Sequence, residues 1–129
     1  MFKKVDYVMV MVSDMARSVA FYRDTLGMPL KFQSPDWTEF QTGDTTLALH
    51  GGAKPNPGPP AKEAPAGTCS IGFNVDDVDK AYNELKAKGI PFVMPPTHRQ
   101  EEGIKLAVFL DPDGMGISMA QMVKAPATS

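Results

Sequence analysis

Apolar residues along this chain switch between two spacings. Tyr7, Met9 and Met11 alternate with Val8, Val10 and Val12, which is the period of two expected of a β-strand. Ser13-Asp14 then supplies helix N-cap chemistry, and Met15, Val19, Tyr22 and Leu26 fall on one helical stripe. Gly27 is placed to leave the helix with positive φ, and Pro29 prevents its resumption. Residues 30–32 and 37–41 predict strands. Thr42-Gly43-Asp44-Thr45 predicts a hairpin turn, and residues 46–50 the returning strand.

The same order recurs in the second half. Residues 70–75 alternate as a strand, Asp76-Asp77 caps a helix with the stripe Val78, Tyr82 and Leu85, and Gly89 followed by Pro91 ends it. The two helix exits, Gly27-Met28-Pro29-Leu30 and Gly89-Ile90-Pro91-Phe92, lie 62 residues apart. Residues 92–94, 105–110 and 115–121 predict three more strands, with Asp111-Pro112-Asp113-Gly114 as the last turn. The expectation is one α+β domain, 1–129, built of two tandem βαβββ modules at 3–52 and 68–122. A Pro-rich spacer at 53–67 joins them, and a tail follows at 123–129. One helix per module shields only one face of its sheet. The uncovered faces are therefore expected to curve around a cavity, within one chain or between two.

Composition narrows the function classes. The chain has 129 residues, 43% hydrophobic and 22% charged, a globular rather than disordered profile. Thirteen Lys and Arg against fifteen Asp and Glu give a net charge of −2, so nothing drives general binding to nucleic acid or anionic membrane. The longest apolar run, residues 8–12, is far below the roughly 20 residues that span a bilayer. It also lacks a signal-peptide pattern. The lone Cys69 has no internal disulfide partner and is expected to be buried and inert; a cytoplasmic protein is the resulting expectation.

Three stretches resemble the vicinal oxygen chelate superfamily of glyoxalase I, bleomycin-resistance proteins and extradiol dioxygenases. They are Asp6-Tyr7-Val8-Met9-Val10-Met11-Val12-Ser13-Asp14-Met15 running on to Ser18, Phe21-Tyr22 and Leu26-Gly27; Phe73-Asn74-Val75-Asp76-Asp77; and Phe109-Leu110-Asp111-Pro112-Asp113-Gly114. The resemblance implies paired βαβββ modules, a frequent homodimer and, in metal-dependent members, four inward ligands on four strands. Carried over position by position, those ligands fall on Tyr7, Ala48, Ser70 and Ser118. Imidazole and carboxylate are the usual donors at such sites, and none of these four supplies either. The expectation is that the usual metal is absent, a divalent ion remaining open only at a displaced site.

The remaining chemistry centres on Glu39 and His50. The two-residue turn sets Glu39 opposite Ala48 and Trp37 opposite His50, so all four share a face. Glu39 and His50 are the candidate catalytic pair, as displaced ligands or as a general base. His98 is placed in a polar loop, residues 98–102, of the kind that often folds over a pocket mouth. Tyr7, Met9, Met11, Trp37, Ser70, Asn74 and Ser118 are the candidate ligand-binding residues, with Trp37 as a stacking surface and the methionines as a soft wall. The reading that follows is a protein that binds a small, partly apolar organic molecule. An unpaired Glu39 would favour cationic or hydrogen-bond-donating ligands. The alternative is an enzyme: a metal-dependent lyase or dioxygenase with a displaced site, or a metal-free isomerase.

Overall fold

A computed structural model describes residues 1–55 and 66–123. Most of the Pro-rich spacer and all but the first residue of the tail lie outside the described residues. The chain divides into two compact units, Met1–Pro57 and Gly58–Ser129, and each is described by itself.

The first unit runs β1 (Tyr7–Met11), α1 (Met15–Ala20), β2 (Leu30–Gln33), β3 (Trp37–Thr42) and β4 (Thr45–His50). Its four strands form one mixed sheet in the order β1-β4-β3-β2. Asp14 caps α1 by accepting from the Arg17 N–H at 3.0 Å. The helix does not continue regularly to Leu26. Phe21–Thr25 widens into a π-turn, in which the Leu26 N–H donates to the Phe21 carbonyl. The buried stripe is accordingly Ser18, Val19, Phe21 and Tyr22 rather than one ending at Leu26. Tyr22 packs on Phe40 of β3 with ring centroids 6.0 Å apart, and the remaining core is Val10, Val12, Leu47 and Leu49. Fully burying a ring of this size contributes about 1.5–3 kcal/mol, so this layer fixes which sheet face is covered.

The second unit repeats the order: β5 (Ile71–Asn74), α2 (Val78–Ala87), β6 (Phe92–Arg99), β7 (Ile104–Leu110) and β8 (Gly116–Met122), in the sheet order β5-β8-β7-β6. Asp77 caps α2 through the Lys80 N–H at 3.1 Å. Val78 and Leu85 are buried on the sheet, and Tyr82 meets Phe92 edge-on at 4.6 Å. Gly27 and Gly89 end the two helices at φ values of 74° and 83°, conformations that favour glycine. Asp111 organises the last turn: its Oδ1 accepts the N–H groups of Asp113 at 2.9 Å and Met115 at 2.8 Å.

Two expectations are corrected here. His98 and Arg99 are not loop residues; they extend β6, paired with Lys105 and Ile104 of β7. Pro95 and Pro96 do not stop the strand, because β6 is an edge strand and its register shifts between Met94 and Thr97. Cys69 is exposed rather than buried, since it precedes β5 and no helix covers it.

Candidate functional site

The sheet face of the first unit that α1 leaves uncovered is assembled by strand parity. The parallel register of β1 on β4 sets Tyr7 beside Thr46, Met9 beside Ala48 and Met11 beside His50. The antiparallel register of β4 on β3 sets Trp37 opposite His50 and Glu39 opposite Ala48. Tyr7, Met9, Met11, Trp37, Glu39 and His50 therefore share one face. Tyr7, Met9 and Met11 are each about half exposed there, at 53%, 45% and 47%. Phe32 joins them from β2, opposite Glu39 and 53% exposed.

Trp37 is the organiser of this face. Its backbone is pinned by Ser34, whose Oγ accepts from the Trp37 N–H at 3.0 Å and donates to the Trp37 carbonyl at 2.8 Å. Its indole Nε1–H donates to Glu39 Oε2 at 2.8 Å. Tyr7 approaches its ring edge-on at 6.0 Å and His50 at 6.1 Å, with interplanar angles of 75° and 89°. Ala48, fully buried below, is small enough for Tyr7 and Trp37 to meet from the two strands that flank it. Aromatic pairs of this geometry contribute about 0.5–1.5 kcal/mol beyond area burial.

Glu39 is not a lone carboxylate. Its second oxygen, Oε1, faces Lys31 Nζ at 3.7 Å, and the same ammonium donates to Thr46 Oγ1 at 3.0 Å. Lys31 reaches this face by plain alternation from Leu30, and a bulge in β2 brings Phe32 to the same face. Leu30 opposes Phe40 and Phe32 opposes Glu39, leaving Lys31 as the extra residue between them. The Glu39 charge is thereby balanced, which removes the reason to expect cationic ligands. Neither Lys31 nor Ser34 is singled out by the sequence pattern. The bulge is invisible in it, and Ser-Pro-Asp reads only as a turn.

His50 makes a 2.7 Å contact from Nδ1 to the Gly51 carbonyl. A carbonyl only accepts, so Nδ1 carries the proton and the lone pair of the neutral ring sits on Nε2. Gly51 is itself fixed: its N–H donates to the Asp36 carbonyl at 2.9 Å, and a Cβ there would lie 2.7 Å from the Pro35 carbonyl oxygen.

The other candidates belong to the second unit. Ser70 is exposed just ahead of β5, Asn74 is the exposed last residue of β5, and Ser118 lies on β8 opposite Gly72. The Ser118 Oγ is 3.4 Å from the Ile71 carbonyl. Met119, on the other face of β8, is core. His98 stands exposed near the end of β6, beside the Arg99–Glu102 ion pair.

A divalent ion does not fit the donors at the superfamily's ligand positions. Ala48 has no donor atom and is fully buried, Ser70 and Ser118 offer neutral hydroxyls, and Tyr7 is a phenol. Among the described residues no three His, Cys, Asp or Glu side chains converge as a metal site. The titrating pair that is perturbed lies away from this face. Arg23 donates to Asp24, which holds the carboxyl below and the guanidinium above their usual ranges.

Comparison with known proteins agrees with this architecture. The chain is 30% identical over 127 residues to the uncharacterized protein YraH of Bacillus subtilis (strain 168), covering 93% of this chain and 99% of that protein. It is 27% identical over 125 residues to a probable lactoylglutathione lyase of Synechocystis sp. (strain ATCC 27184 / PCC 6803 / Kazusa), covering 89% and 92%. A glyoxalase/dioxygenase from Nostoc punctiforme superposes with a TM-score of 0.80 at 23% identity, over 95% of this chain and 92% of that one, a likeness of fold. Among the described residues no helix is long and apolar enough to cross a membrane. The family model of the Glyoxalase/Bleomycin resistance protein/Dioxygenase superfamily matches residues 4–119, and the chain belongs to that superfamily.

Proposed function

We propose that this protein binds a small, partly apolar organic molecule on the uncovered face of its first sheet, without the metal ion that serves many members of its superfamily. One observation carries the reading. Tyr7, Met9, Met11 and Phe32 expose apolar surface on one face, around a Trp37 ring already held by Glu39, Tyr7 and His50. A side chain fixed before binding loses little entropy on binding, and methionines adapt to varied apolar shapes. Ser70, Asn74 and Ser118 are proposed as ligand-binding positions of the second unit taken by itself. A homodimer in the cytoplasm is proposed with it, the dimer to be checked by light scattering.

Trp37 is the only tryptophan, so its fluorescence reports this face directly. A panel of aromatic and aliphatic compounds should contain some that quench or shift its emission and raise the melting temperature in a saturable way. Trp37→Ala should abolish that stabilisation. A panel without effect on either signal refutes the proposal.

A second reading, a lyase or isomerase, is favoured by one feature: the Nε2 lone pair of His50, a basic atom on an exposed side chain. Glu39 would then hold Trp37 through Oε2 while His50 takes the proton. Metal analysis of protein purified without chelator separates the metal-free proposal from a metal-dependent lyase or dioxygenase with a displaced site. Stoichiometric Zn, Ni, Mn or Fe that disappears in His50→Ala overturns the metal-free proposal in favour of a displaced site.

A further inference from the structure

The hydrogen-bonding capacity left over on the Trp37 face specifies the chemistry of its ligand. The indole N–H is consumed by Glu39, and the carboxylate charge is balanced by Lys31. The Lys31 ammonium is in turn held by Thr46. Lys31 and Glu39 cancel in charge, so the pair gives no preference for a charged ligand. On the two rings that flank Trp37, two polar atoms have no hydrogen-bond partner among the described residues: the Tyr7 hydroxyl, which can donate or accept, and His50 Nε2, which can only accept because the Gly51 carbonyl holds the proton on Nδ1. Both rings stand about 6 Å from the Trp37 centroid, so one aromatic ligand lying against Trp37 is within reach of both.

Resting on the binding reading above, we infer that this face takes a neutral, planar ring carrying an O–H or N–H donor, such as a phenol or an azole. The donor bonds to His50 Nε2 while the ring lies against Trp37 and the Met9–Met11 wall. Gly51 is the positioning residue. Its carbonyl selects the imidazole tautomer, and the close approach of the Pro35 carbonyl excludes a side chain there. A cation would find the carboxylate already balanced by Lys31, and an anion would face the lone pair of Nε2.

Matched probes test this. 2-Naphthol and 2-methoxynaphthalene share a ring system, but only the first donates. Binding is read by melting-temperature shift, and the His50 tautomer by two-bond ¹H–¹⁵N imidazole correlations, assigned with His50→Phe. One hydrogen bond to a neutral acceptor predicts a preference of roughly 3- to 10-fold for 2-naphthol. The preference should vanish in His50→Phe, which keeps a ring at the position. The spectrum of the free protein should show the proton on Nδ1. Equal affinity for the two probes, a preference that survives His50→Phe, or a proton on Nε2 overturns the donor inference and leaves the binding proposal standing. Binding of neither probe, together with a silent compound panel, overturns both.

Discussion

The bond from Trp37 Nε1–H to Glu39 Oε2 makes a prediction that needs no ligand. At 2.8 Å with an ionised acceptor it belongs to the stronger class of hydrogen bonds, worth about 1.5–3 kcal/mol when shielded. The Glu39 side chain is 32% exposed, so water competes for it and the lower end applies. The Lys31 contact, at 3.7 Å with the lysine side chain 40% exposed, adds no more than about 0.5 kcal/mol. A double-mutant cycle of Trp37→Phe and Glu39→Ala isolates the first interaction. Phe keeps most of the ring and loses the N–H, and Ala removes the acceptor. Each single variant should be destabilised, and the double variant should be less destabilised than their sum by about 1–1.5 kcal/mol. In urea denaturation, with a slope of about 1.5 kcal/mol/M, that coupling is a midpoint difference of about 0.7–1 M. Trp37 emission in Glu39→Ala should shift to the red as the freed indole meets water. Coupling within about 0.3 kcal/mol of zero would show that the two residues act independently, and the picture of a Trp37 ring fixed in advance would fall with it.

Three further outcomes are expected. Ser18 is fully buried in α1 with an unpartnered Oγ, so Ser18→Ala should raise stability by about 1 kcal/mol, seen as a melting temperature about 3–4 °C higher. A Cβ on Gly72 would lie 2.8 Å from Ser118 Oγ. Gly72→Ala should therefore cost about 1 kcal/mol, and Ser118→Ala should restore most of it in the double variant, as read by chemical denaturation. Asp111→Ala removes the acceptor of two turn N–H groups in a buried residue, and a loss of about 2 kcal/mol is expected by the same method.

Local chemistry accounts for how much of the candidate site was readable in the chain. Strand alternation and the two-residue turn at Thr42–Thr45 set Trp37 opposite His50 and Glu39 opposite Ala48, because a tight turn leaves one register. The capping aspartates Asp14 and Asp77 and the glycines that end the helices were equally legible, since each acts within a few residues of itself. The state of Glu39 was not. Its neutralisation depends on the Lys31 ammonium reaching between Glu39 and Thr46, a side-chain placement that strand alternation does not specify. The extension of β6 through Pro95 and Pro96 escaped for a related reason: only its place at a sheet edge makes those prolines tolerable.

By itself, then, the sequence determined the two βαβββ modules, their caps and turns, the hairpin register, and the replacement of imidazole and carboxylate donors at the superfamily's ligand positions by Tyr7, Ala48, Ser70 and Ser118. Tertiary structure alone decided that Tyr7 crosses over Ala48 to meet Trp37 and that Lys31 balances Glu39. The division has a physical cause. Caps, turns and alternation are set by neighbours along the chain, whereas the meeting of Tyr7 with Trp37 needs the parallel pairing of β1 on β4, a non-local register chosen by packing rather than by any turn.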